Sequence, residues 1–202
     1  MNKVITWLAG GLLASSIAVA AAERPRDLVQ SQAERVLAAL VERRNEFRED
    51  PGILENYVRG ELEGSFDHEY SARLVLGRHS RGVTDAKIEA FADALMRNLL
   101  RRYGKAMLEF DPNVKVKVLS ETPMREGKLM RVSTEIQRAA GSPVPVDYML
   151  RKVGEEWKVF DVIVEGVSYV QTYRTQFEEQ LRGSTLEQVI EGLQNQTVHV
   201  EG

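Results

Sequence analysis

Residues 161–177 read DVIVEGVSYVQTYRTQF, and the period of their apolar side chains changes part-way along. Val162 to Val164 is a β-branched run of the kind a strand carries. From there Val167, Val170, Tyr173 and Phe177 recur three or four residues apart, as on one face of a helix. The switch falls at Glu165-Gly166, which predicts a tight strand-to-helix corner. Apolar and aromatic side chains crowd both sides of that corner, and no evident catalytic group lies between them.

Upstream of the corner the period is that of strands. VKVKVL alternates over 114–119, Lys128 to Gln137 is a second candidate, and VPVDYML places Val144, Val146, Tyr148 and Leu150 on one face. The turn Ala140-Gly141-Ser142-Pro143 precedes that third run. Gly154-Glu155 is a short turn into a fourth, Glu156 to Val164. Consecutive strands with short connections form an antiparallel meander.

Before Asp111-Pro112-Asn113 everything reads as helix. Pro25 suits a first helical turn, and Val29, Ala33, Val36, Leu37 and Leu40 follow at helical spacing until Asp50-Pro51-Gly52. Leu54, Tyr57, Val58 and Leu62 mark a second helix ending at Gly64, and Leu74, Val75 and Leu76 a third begun at Phe66-Asp67. Thr84 is the expected N-cap of the longest helix, whose stripe is Ile88, Phe91, Leu95, Leu99 and Tyr103, extending to Met107 and Phe110. Two further helices close the chain, the second opened by an expected capping box from Ser184 to Glu187. The expected fold class is therefore α+β: a helical N-terminal half packed on a curved antiparallel sheet of about four strands, with C-terminal helices. Such a sheet and lid either fill with side chains or enclose a cavity.

Residues 1–22 fit a cleaved secretory signal: one lysine, an apolar run from Val4 to Leu13, then small residues offering Ala-x-Ala cleavage sites. The expected mature chain, 23–202, has the size of a single domain. The absence of cysteine excludes disulfides, thiol catalysis and thiolate metal sites. A net charge of −3 on an exported domain disfavours binding to the phosphates of nucleic acid, and no nucleic-acid partner is expected.

A search for chemistry finds little. Gly166-Val167-Ser168 lacks the second glycine of a nucleophile elbow, since Val170 stands there, so Ser168 reads as a polar group at the corner. His68, His79 and His199 show no paired metal-ligand spacing, and there is neither GxGxxG nor a P-loop, so no metal and no cofactor is expected. Arg97, Arg101 and Lys105 form an i, i+4 cationic stripe: a solvated face, or a docking surface for an acidic partner or lipid phosphate. Taken alone, the residues do not separate a filled core, which would suit an adaptor acting through its surface, from a lined cavity, which would suit an enzyme using Asp161 as base on a small apolar substrate.

Two blocks carry a resemblance. LVLGRHSRGVTDAKIEAFADALMRNLLRRYGKAM and VDYMLRKVGEEWKVFDVIVEGVSYVQTYRTQF are similar, in order and spacing, to the periplasmic phospholipid carriers of the Mla system, also known as toluene-tolerance proteins. EGVS followed by YRxQF is the most specific part; His79-Ser80 departs from the family, whose members often have an aromatic after VLG. The resemblance implies a nuclear-transport-factor-like (NTF2-like) cone enclosing an apolar pocket for acyl chains, with phospholipid as cargo rather than cofactor. It implies a periplasmic, non-enzymatic carrier that shuttles glycerophospholipid between an outer-membrane lipoprotein complex and an inner-membrane ABC transporter complex with its lipid-binding ring subunit; nothing in the sequence suggests an obligate oligomer, and a monomer is expected. That role maintains outer-membrane lipid asymmetry. Carried onto this sequence, the corner wall would be Val164, Val167, Ser168 and Tyr169, and the sheet wall Val146, Tyr148 and Leu150. The helical wall would be Val75, Phe91, Leu95, Leu99 and Tyr103. Burial at about 0.8 kcal/mol per methylene makes two long acyl chains worth roughly 20 kcal/mol. Greasy walls with few polar clamps suit such a cargo.

Overall fold

The structure is a computed structural model that describes residues 23–109, 111–138 and 141–198. The expected signal segment 1–22, Phe110, Ala140 and His199 lie outside the described residues.

Helix α1 (Pro25–Glu42) starts on Pro25, whose ring suits the first turn. It stops before Asp50, because the chain turns at Arg43 and starts the six-residue α2 (Arg44–Glu49), an element the apolar stripe did not reveal. Phe47 of α2 is fully buried. Asp50 then caps α3 (Pro51–Glu63), accepting from the Gly52 N–H at 2.8 Å. Asp67 does the same for α4 (His68–Leu76), accepting from the Tyr70 N–H at 3.1 Å. Helix α5 (Asp85–Leu108) begins after Thr84 as expected, although the Thr84 side chain makes no cap bond. The first-turn Asp85 carboxylate is instead an ion-pair partner of Arg73 on α4.

The sheet has five strands in the order β1 (Lys115–Met124), β2 (Leu129–Gln137), β3 (Val144–Val153), β4 (Glu156–Val164) and β5 (Val167–Ser168), each antiparallel to the next. The fifth strand corrects the opening reading. Glu165 and Gly166 both have positive φ, 50° and 85°, as the two central residues of a tight hairpin require. Val164 pairs with Val167 and Ile163 with Ser168. Helix α6 (Tyr169–Gln180) therefore begins two residues later than the period suggested, capped by Ser168. The corner is a hairpin joined to a cap, and a two-residue strand is too short to show a period.

Strand β4 contains a second departure from simple alternation. Met149 pairs with Asp161 but Leu150 pairs with Val159, so Phe160 is the extra residue of a β-bulge. The bulge shifts the parity of the strand, bringing Val159 and Val162 to the same side of the sheet, and bends it. The inner face packs on α1, where Val29, Val132 and Leu150 form a buried cluster.

Helix α7 (Leu186–Gln194) does open with a capping box, one residue further on than expected: Thr185 and Gln188 exchange hydrogen bonds. Glu187, the expected partner, instead pairs with Lys87 of α5, which holds its carboxyl down to about 2. That pair helps tether α7 to α5.

The two sequence blocks meet in space at Gly77. Its φ of +55° suits glycine, and a Cβ there would lie 3.1 Å from Nε of Arg174 on α6. Gly77→Ala is expected to cost about 1–3 kcal/mol, read as a lowered urea midpoint. An unchanged midpoint would show that the backbone and Arg174 relax freely.

Candidate ligand-binding site

Two apolar cavities lie between the helices and the sheet. Lobe A, about 480 Å³, is walled by α4, α5, α6 and β4, including Val75, Leu95, Leu99, Val164, Tyr169 and Tyr173. Lobe B, about 410 Å³, lies between α1 and the sheet, including Val36, Leu40, Val116, Ile136, Tyr148 and Val159. Phe66, Met107 and Val162 line both. The lobes are thus neighbours across a partition one side chain thick.

The partition is held firmly. The Asp67 N–H donates to the Val159 carbonyl at 2.7 Å, and the Val159 N–H donates to the Ser65 carbonyl at 2.8 Å, clamping Phe66 against β4. Asp67, 9% exposed, accepts from Arg151 Nε at 2.6 Å. The Arg151 guanidinium also lies 4.2 Å from the centre of the Tyr70 ring.

Most polar groups of the walls are hydrogen-bonded within the protein. Ser71 donates to the Phe160 carbonyl at 2.6 Å. The Asp161 carboxylate accepts from Ser168 Oγ at 2.6 Å and from the Val170 N–H at 3.0 Å. Both its oxygens are thus committed to the start of α6, which is a capping role rather than that of a free base. In lobe B, Gln32 Nε2 donates to the Glu61 carbonyl at 2.8 Å, while its Oε1 is buried without a partner. Burial pushes the Tyr148 and Tyr173 phenols up, so both are neutral. Among the described residues, no group of three or more His, Asp or Glu could hold a metal ion.

His68 borders lobe A with its ring 5.1 Å from that of Phe66. Burial lowers its pKa against the opposing pull of Asp93. A base with a lowered folded pKa binds protons more readily when unfolded. The stability conferred by neutral His68 is then complete above the ordinary value of about 6.5 and lost as pH falls through the lower folded value. Wild type is expected to lose stability on acidification through that window more steeply than His68→Gln, read from urea midpoints across the pH series.

The model of the MlaC protein family matches residues 30–195. The chain belongs to the MlaC family. Toluene tolerance protein ttg2D of Pseudomonas putida is 28% identical over 196 residues, covering 94% of this chain and 90% of that protein. The intermembrane phospholipid transport system binding protein MlaC of Haemophilus influenzae is 24% identical over 171 residues, covering 83% and 79%. The fold is shared with a phospholipid-binding protein from Ralstonia solanacearum, solved in complex with a phospholipid, at a TM-score of 0.70 and 20% identity; the match covers 86% of this chain and 96% of that one.

In this MlaC-family chain the residues singled out from sequence divide into three groups. Val75, Leu95, Leu99, Val164 and Tyr169 line lobe A, and Tyr148 lines lobe B. Phe91, Val146 and Leu150 are packed in the core at 0%, 3% and 0% exposure and line neither lobe; the Phe91 ring meets that of Phe177 edge-on. Val167 is 57% exposed, Ser168 caps α6, and Tyr103 lies beside Arg102. Arg97, Arg101 and Lys105 are exposed along α5. The partition residues Phe66, Met107 and Val162 were missed. The one available signal was Phe66 standing directly before the capping Asp67, where an apolar residue often staples a helix start.

Proposed function

We propose that this protein is a periplasmic phospholipid carrier whose two lobes each take an acyl chain. The observation that carries this reading is the pair of apolar cavities sharing Phe66, Met107 and Val162, with Ser71 and Asp161 of the wall hydrogen-bonded within the protein. Membership of the MlaC family and the names of its relatives support the class of cargo. Each methylene buried contributes about 0.8 kcal/mol, so a pocket of this kind holds lipid without specific clamps. A donor bilayer offers the tails a similar environment. Direction of transfer must then come from protein partners: an inner-membrane ABC transporter complex with its lipid-binding ring subunit and an outer-membrane lipoprotein complex. The carrier acts as a monomer and performs no chemistry, consistent with the commitment of Asp161 to the α6 cap. Shuttling of this kind maintains outer-membrane lipid asymmetry.

Mass spectrometry of lipid extracted from the purified mature protein tests the reading, with an unrelated periplasmic protein as control. Phospholipid at about one molecule per chain is the expected result. A protein that is empty as purified and takes up no lipid from vesicles would overturn it.

A further inference from the structure

A third depression lies outside the two lobes. It is a groove of about 570 Å³ between the start of α3 and the C-terminal half of α5, floored by Phe47, Leu54, Gly104 and Leu108. Phe47, Leu54 and Leu108 are buried, at 0%, 2% and 5% exposure, so the floor is deeply seated and apolar. Gly104 stands inside α5, a little over one turn from its C-terminal end, where glycine costs up to about 1 kcal/mol relative to alanine. Its reason is close approach, since a Cβ there would lie 3.3 Å from Leu54 Cδ2.

The rim is charged. Arg48, Arg101 and Lys105 line it, with Glu55 and Glu109. The cationic excess runs along α5, which between Ala94 and Leu108 carries Arg97, Arg101, Arg102 and Lys105 and no carboxylate. Among the described residues Arg48, Arg97 and Lys105 have no ion-pair partner, whereas Arg35, Arg43, Arg59, Arg73, Arg78 and Arg151 each have at least one. An apolar slot beside unpaired cations fits an apolar side chain flanked by carboxylates. A bilayer surface is too flat to enter it.

The groove and the cavity also share a wall. Leu100 lines both the groove and lobe A, and Met107, next to Leu108 of the floor, lines both lobes. We infer that the groove receives an acidic, apolar-tipped helical segment of a partner protein, and that seating it shifts the Leu100–Met107 stretch of α5 and loosens the cargo. The second half of this statement rests on the carrier reading; the first does not.

The probe is a synthetic helical peptide with a leucine stripe at i, i+3, i+4 and i+7 flanked by glutamates, beside an otherwise identical peptide carrying lysines. Each is titrated into ¹⁵N-labelled mature protein. The expected result is saturable amide shifts confined to the groove around Leu54, Leu100 and Gly104 with the glutamate peptide alone. These shifts should be lost in Arg97→Glu/Lys105→Glu, whose unchanged thermal midpoint shows that it folds. No shifts, shifts from both peptides alike, or shifts scattered over the surface would overturn docking. So would a failure of the peptide alongside co-sedimentation with phosphatidylglycerol vesicles, which would assign the cations to a membrane. Transfer of fluorescent phospholipid to acceptor vesicles should quicken at least fivefold when the glutamate peptide is bound. Docking with unchanged transfer would overturn the release step alone. A protein that never loads lipid would instead remove the carrier reading while the docking shifts are still read.

Discussion

Val162→Trp should leave the protein folded and strip it of phospholipid. Val162 is one of the three side chains lining both lobes, and it projects from a strand fixed on both edges. An indole there grows into space rather than into packed core, so the fold tolerates it. If the ring denies each of two tails about two methylenes of burial, binding weakens by about 3 kcal/mol, roughly a hundredfold. Lipid counted by mass spectrometry should fall to near background, with the thermal midpoint little changed. The discriminating control is Val167→Trp. Val167 is only five residues on, across the hairpin, but 57% exposed and outside both lobes, so that variant should keep its lipid. Equal loss in both variants would mean that the wall lies at the hairpin and not at the partition.

Arg151→Ala should produce the largest loss of stability among surface-reachable arginines. Asp67 is 9% exposed and its carboxylate accepts from Arg151 at 2.6 Å while also capping α4. Removing Arg151 leaves that charge buried with its cap bond alone. Breaking a buried pair from one side costs about 3–5 kcal/mol, and the 33% exposure of Arg151 places this case at the lower end. A cost of about 3 kcal/mol in a chain of this size lowers the melting temperature by roughly 6–12 °C. The double variant Asp67→Asn/Arg151→Met should recover most of it, because the amide can still accept from the Tyr70 N–H and the methionine still covers the Tyr70 ring. A single variant as stable as wild type would show that water reaches Asp67 and solvates it.

The helices and the order of strands were legible because their signals are local. The α5 stripe from Ile88 to Leu99, Pro25 at the start of α1 and the turn at Gly154-Glu155 each state their element within one or two turns of chain. What escaped depended on contacts or on very short pieces. Glu165-Gly166 forms a hairpin only because two residues beyond it pair back on β4. The bulge at Phe160 had a trace in the adjacent Val159 and Phe160, but consecutive apolar residues read equally as a strand buried on both faces. For the site, residue type fails altogether. Leu95 and Leu150, like Tyr148 and Phe91, are equally apolar or aromatic candidates, yet one of each pair faces empty space and the other is packed solid. Whether a side chain meets a void is decided by how far apart whole elements stand, and that distance is set by residues such as Phe66 and Met107 from elsewhere in the chain.

The partition also separates what can be inherited. Lobe A is shaped by α4, α5 and α6, lobe B by α1 and the first three strands, and few side chains belong to both. If each lobe takes one tail, a substitution on α1 would shorten or widen the berth of one while the berth of the other keeps its dimensions. Tolerance for chain length and for unsaturation would then be two traits rather than one, and a lineage whose membranes change composition could retune one berth at a time.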